Sequence, residues 1–121
     1  MTEKKNETKI VELDSVAEEL LKECMKEGRI VSKELMSNEE WIIQLVALPP
    51  RETNYGGIKV VRRNPAIGVM IRSTTNWKNN ITIVKQSDFV KFLEIIKRLM
   101  SDEALVKAVY HVIGEKVPLS I

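Results

Sequence analysis

Two short stretches set aromatic rings among cations. In RSTTNWKNN (72–80), Trp77 stands beside Lys78 and follows Arg72; in RETNYGG (51–57), Tyr55 follows Arg51. An exposed ring gives an unpaired nucleobase a π face to stack on, at roughly 1–3 kcal/mol per base, while neighbouring cations track the phosphates. The amides of Asn76, Asn79 and Asn80 suit sugars and base edges. The competing use of Trp77 is packing, against a sheet edge or another subunit.

Charge supports the first use. The chain is nearly neutral, with 19 Lys and Arg against 17 Asp and Glu, but the balance is uneven. Residues 1–40 carry eleven acids and seven bases, whereas 51–85 carry Arg51, Lys59, Arg62, Arg63, Arg72, Lys78 and Lys85 against Glu52 alone. A polyanion responds to this local field rather than to the sum.

Other chemistries lack their residues. There is no phosphate-binding GxxxxGK[ST], no GxGxxG, no HExxH, no nucleophile elbow and no calcium loop. A single cysteine, Cys24, and a single histidine, His111, exclude an intramolecular disulfide and leave no Cys/His zinc cluster. Cys24 lies in an apolar helical stripe and reads as core. His111 reads as a helix-surface residue, and Asp88 and Asp102 as helix caps. No catalysis, metal or cofactor is expected. The charged N-terminus MTEKKNETK and the short apolar runs predict neither a signal peptide nor a spanning helix, hence a cytoplasmic protein with no membrane partner.

The elements that must position these residues follow from periodicity. The length suits one domain over 1–121, with 1–9 as a flexible arm. A helix is predicted from DSVAEELLKECMKEG, where Ser15 and Glu18 have capping-box spacing, Val16, Ala17, Leu20, Leu21 and Cys24 share a face, and Gly28 ends it. RIVSKELM suits a short helix capped by Ser32 better than a strand. From Trp41, itself expected in the core, the period becomes two. WIIQLVAL, IKVVRR, IGVMIRST and ITIVK are predicted strands of an antiparallel meander, with RETNYGG as a turn. Two helices follow, beginning near Ser87 and after Ser101, the second ending at Gly114. The expected fold class is α+β: a four-stranded antiparallel sheet packed against N-terminal and C-terminal helices.

Function in such a fold falls on the open sheet face. In IGVMIRST the unbroken apolar set Ile67, Val69, Ile71 should face helix, leaving Gly68, Met70, Arg72 and Thr74 outward, with Thr82 and Val84 from the last strand. Either Arg62 or Arg63 is outward; the alternation does not choose. The candidate nucleic-acid contacts are Arg51, Tyr55, Lys59, Arg62, Arg63, Met70, Arg72, Trp77, Lys78 and Lys85.

The helix VAEELLKECMKEGRIVSKEL, the strands WIIQLVALPP, GGIKVVRRNP, IGVMIRST and NITIV, and the segment SDFVKFLEIIKRL together resemble the archaeal ThermoDBP-related proteins over most of residues 15–100. The resemblance implies single-stranded DNA binding without strong sequence preference on a non-OB α+β fold, and homo-oligomers, dimeric or tetrameric, that help enclose the strand. It leaves RNA open as a competitor. No long leucine zipper follows residue 100, so assembly must differ from that of ThermoDBPs themselves.

Two other readings compete. LLKECMKEGRIVSKELM with the strands as a wing would form a duplex-binding winged-helix regulator, although its acids would repel phosphates. The apolar last helices, with Phe89, Phe92, Ile95, Ile96, Leu99 and Val109 among them, would alternatively serve a protein-assembly module without nucleic-acid binding.

Overall fold

The computed structural model describes residues 2–116. Its order is α1 (Thr2–Glu27), β1 (Val31–Ser37), β2 (Trp41–Leu48), β3 (Arg51–Tyr55), β4 (Ile58–Arg63), β5 (Ala66–Ser73), β6 (Asn80–Ile83), α2 (Gln86–Ser101) and α3 (Glu103–Lys116). The fold is α+β, with a four-stranded antiparallel sheet ordered β1-β2-β5-β6, one helix before it in the chain and two after. The chain divides into two compact units, Met1–Val84 and Lys85–Ile121.

Helix α1 is longer than predicted. Where 1–9 was expected as an arm and Ser15 as a cap, the helix runs from Thr2. The first turns are rich in Lys and Glu, good helix formers that also pair along the axis, as Lys9 does with Glu12 at 3.8 Å. Apolar periodicity begins only later. Leu13, Val16, Ala17, Leu20, Leu21 and Cys24 recur at helical spacing and pack on Val31, Leu45, Ala47 and Ile67 of the sheet. Gly28, at φ +68°, ends the helix, its N–H donating to the Cys24 carbonyl at 2.8 Å. Cys24 is buried, and burial pushes its thiol pKa up.

The segment RIVSKELM is strand β1, not a helix. Pairing with β2 decides it: Val31 faces Ala47 and enters the core, and Ser32 faces Val46. Asn38 shapes the β1–β2 turn, its Oδ1 accepting from the N–H groups of Glu40 and Trp41 at 3.0 and 2.8 Å. Leu35 sits in a bulge between Glu34 and Met36, which blunts this edge strand. Trp41, at the strand's open end, is 44% exposed rather than core.

IKVVRR does not join the sheet. As β4 it pairs with β3, the segment expected as a turn, in a separate two-stranded arm. Gly56 and Gly57, at φ +56° and +89°, make the two-residue turn whose central residues both require positive φ. The arm continues the β2–β5 ribbon in register, since Leu48 faces Ala66 and Arg51 faces Arg63. The intervening positions hold Pro49, Pro50 and Pro65, which have no N–H to donate, so the ladder stops and restarts.

In the second unit α2 and α3 pack on each other. Lys85 is the N-cap residue of α2 without a side-chain cap bond, so Ser87 and Asp88 lie within the first turn instead of capping it. Asp102 does cap α3, its Oδ1 accepting from the Leu105 N–H at 3.1 Å. α3 continues past the expected stop at Gly114, and His111 is exposed on it.

Candidate nucleic-acid interface

Register sorts the sheet residues onto two faces. Ile43, Leu45 and Ala47 of β2 face Ile71, Val69 and Ile67 of β5, and this is the α1 side. The opposite face carries Ser32 and Glu34 from β1, Gln44, Val46 and Leu48 from β2, Gly68, Met70 and Arg72 from β5, and Asn80 and Thr82 from β6. The alternation read from β5 therefore holds.

Gly68 shapes this second face. A Cβ there would lie 2.7 Å from the Ile83 carbonyl oxygen and 2.8 Å from Val84 Cγ1, so the chain leaving β6 crosses directly over it. Val46, paired with Gly68, is completely buried although it points away from α1. Next to this crossing a groove of about 560 Å³ opens, with Ile30, Leu48, Met70 and Val84 as apolar lining and Arg63, Arg72, Trp77, Asn80 and Thr82 as polar and aromatic lining.

Trp77 is 72% exposed. Its loop is nevertheless tightly tied. Buried Ser73 accepts on Oγ from the N–H groups of Thr75 and Asn76 at 3.2 and 3.1 Å, and its own N–H donates to the Asn79 carbonyl at 2.9 Å. Asn76 Oδ1 accepts from the Lys78 N–H at 3.2 Å, and Asn80 Nδ2 donates to the Trp77 carbonyl at 2.8 Å. Two of the amides expected to meet a ligand thus order the loop itself. Thr74 binds the Glu40 carbonyl through both N–H and hydroxyl, at 2.8 and 3.1 Å. The indole is presented by a loop with little left to order on binding.

Arg72 is half-buried and held by neutral partners. Its Nε donates to Gln44 Oε1 at 2.9 Å and its Nη1 to the Ser73 carbonyl at 3.4 Å. Arg63 Nη2 donates to the Pro49 carbonyl at 2.9 Å, across the proline break. Among the described residues, none of Arg51, Lys59, Arg62, Arg63, Arg72, Lys78 and Lys85 forms an ion pair. Their charge is not internally neutralised.

The groove gathers Arg63, Met70, Arg72 and Trp77 of the expected contacts. Arg62 and Tyr55 do not line it and engage each other on the arm: Arg62 donates to Tyr55 Oη at 2.7 Å and Thr53 Oγ1 at 3.4 Å, with its guanidinium carbon 5.2 Å from the ring centroid. The choice between the two arginines is thereby resolved, with Arg63 on the groove. None of Lys59, Arg51 and Lys78 lines the groove. Lys85 begins the second unit as the residue before α2. Missed by sequence reading were Ile30, Leu48 and Gln44. Gln44 could be assigned a face only once β2 was known to pair with β5.

A helix-turn-helix needs a second helix over Ser32–Met36; that segment is β1. Among the described residues no group of His, Cys, Asp or Glu could hold a metal ion, and no helix is long and apolar enough to cross a membrane. Compared with known proteins, the chain matches no family model and no curated protein.

Proposed function

We propose that this protein binds single-stranded DNA, largely without regard to sequence and without catalysis. One observation carries the reading: Arg63, Arg72 and an exposed Trp77 line the same groove on the sheet face away from α1. A strand laid there finds an indole to stack on, an apolar bed for base faces, and cations for its phosphates. Duplex DNA has its bases already stacked and paired, so the same groove favours the unpaired form. RNA carries the same two features, and competition between the two polymers is a matter for measurement.

Assembly into a homo-oligomer, a dimer or tetramer, is part of the proposal. Helix α2 has no buried side chain, and Leu93, Ile95, Met100, Val109, Tyr110, Val112 and Ile113 stand exposed along α2 and α3. A second copy of the same hairpin offers the matching apolar surface. A cytoplasmic setting fits these properties.

The test is a fluorescence titration with oligo(dT) and with duplex of equal length, at two salt concentrations, in a Trp41→Phe background so that Trp77 is the reporter. Quenching by the single strand that weakens steeply with salt supports the reading. Equal affinity for duplex, or no binding at low salt, rejects it.

A further inference from the structure

Arg72 is expected to contact the ligand, but its place depends on a neighbour that nothing in the sequence marks. Gln44 stands on the same sheet face in the adjacent strand, opposite Met70 and diagonal to Arg72. Its Oε1 accepts from Arg72 Nε at 2.9 Å while its Nε2 donates to Ser32 Oγ at 3.2 Å. The guanidinium settles which end of the amide points where, because it can only donate and so requires the carbonyl oxygen. The Nε2 end is then left for Ser32, whose hydroxyl accepts from it.

The chemistry of this clamp is distinctive because it is uncharged. A carboxylate in Gln44's place would hold Arg72 as firmly, yet cancel the charge a phosphate would meet. The amide fixes the plane of the guanidinium and leaves its full positive charge in place. Nη1 reaches only the Ser73 carbonyl at 3.4 Å, and Nη2 has no partner among the described residues. A half-buried guanidinium already oriented loses little freedom when it meets a ligand, and its charge-assisted bonds to phosphate are directional and bidentate. The acid nearest in register, Glu34, faces Gln44 from β1 and makes no ion pair with Arg72.

We infer that Gln44, held by Ser32, is a positioning residue that aims Arg72 at a backbone phosphate of a strand lying in the groove. The inference rests on the single-stranded DNA reading above and adds to it the means by which one cation is made specific for a place along the strand.

A double-mutant cycle on the full chain tests it, read by oligo(dT) affinity across a salt series. Arg72→Ala should weaken binding about tenfold and flatten the log–log salt dependence by about 0.7, the loss of one phosphate contact on a single strand. Gln44→Leu should weaken binding about three- to fivefold with the salt slope unchanged, since the charge remains and only its aim is lost. In the Arg72→Ala background, Gln44→Leu should have no further effect. Gln44→Glu should flatten the slope as Arg72→Ala does, because it keeps the acceptor but neutralises the cation. Ser32→Ala, at an exposed hydroxyl, provides a milder variant in the same direction should Gln44→Leu melt early.

The inference is overturned if Gln44→Leu and Ser32→Ala both leave affinity unchanged, or if Gln44→Leu costs as much without Arg72 as with it. If the parent chain itself does not bind the oligonucleotide, the DNA reading has failed, and this inference with it; parental binding with an inert Gln44 overturns the positioning role alone.

Discussion

An arginine and an aromatic ring come together in two regions, in direct contact on the arm and as separate walls of the groove, and the two are differently employed. On the arm, Arg62 lies over Tyr55 and donates to its hydroxyl, so that cation and ring satisfy one another. At the groove, Arg72 is held through a neutral amide and Trp77 through its backbone loop, so that the guanidinium's charge and the indole's face both remain open. Residue type alone therefore does not make a binding site. What counts is whether the partners that position a group also use up the property a ligand would need.

The largest effect that would test this contrast is on affinity. Trp77→Ala should weaken oligo(dT) binding by about tenfold or more, in line with roughly 1–3 kcal/mol for one stacked base, whereas Arg62→Ala should change it less than about threefold. Equal losses by fluorescence anisotropy would erase the distinction between the two pairs.

A second contrast concerns glycine. Gly68→Ala places a methyl against backbone and should destabilise the fold by about 2 kcal/mol, while widening the groove as Val84 is displaced. Gly56→Ala meets nothing within 4 Å and carries only the strain of φ +56°, worth about 1 kcal/mol. Thermal melts with parallel titrations should show the first variant losing stability and altering affinity, the second losing a little stability alone.

Smaller still is Glu34→Gln. Removing the acid on the groove face of β1 should raise affinity by less than about threefold, and only at low salt, because an exposed charge is screened over about 10 Å at 0.1 M. A change that persists at high salt would mean that Glu34 acts on the fold instead.

Cys24 gives a control on all of these. Its burial should slow alkylation in the native state relative to the denatured one. Because the folded thiol's pKa is raised, its contribution to stability is complete below about pH 8.5, where the unfolded thiol is still protonated, and declines as the pH rises towards the folded value. A variant whose Cys24 labels quickly has lost its core, and its affinity says nothing about the groove.

How much was legible in the sequence differs by element. The α1 face was readable because Val16, Leu20 and Cys24 repeat with a helical period, and the two faces of β5 because Ile67, Val69 and Ile71 alternate with Arg72 and Met70. β1 was not, since KELM favours helix locally and only the partner strand reverses that preference. The arm was misplaced because IKVVRR carries no mark of which strand it pairs with; Pro49-Pro50 and the distant Pro65 become one break only when facing positions are known. Arg72 and Trp77 announced themselves by type. Gln44 did not, because its role lies in register and not in its neighbours along the chain.

That break has a consequence for how the ribbon could be remade. Facing positions keep step from Leu48 and Ala66 to Arg51 and Arg63, so substitution of Pro49, Pro50 and Pro65 by residues with free amides would let the rungs close across the break, leaving the bulge after Arg51 as the remaining irregularity before the glycine turn. The sheet's own pairing ends at Leu48 and Ala66, so a change in the length of the arm leaves every rung of the sheet in place.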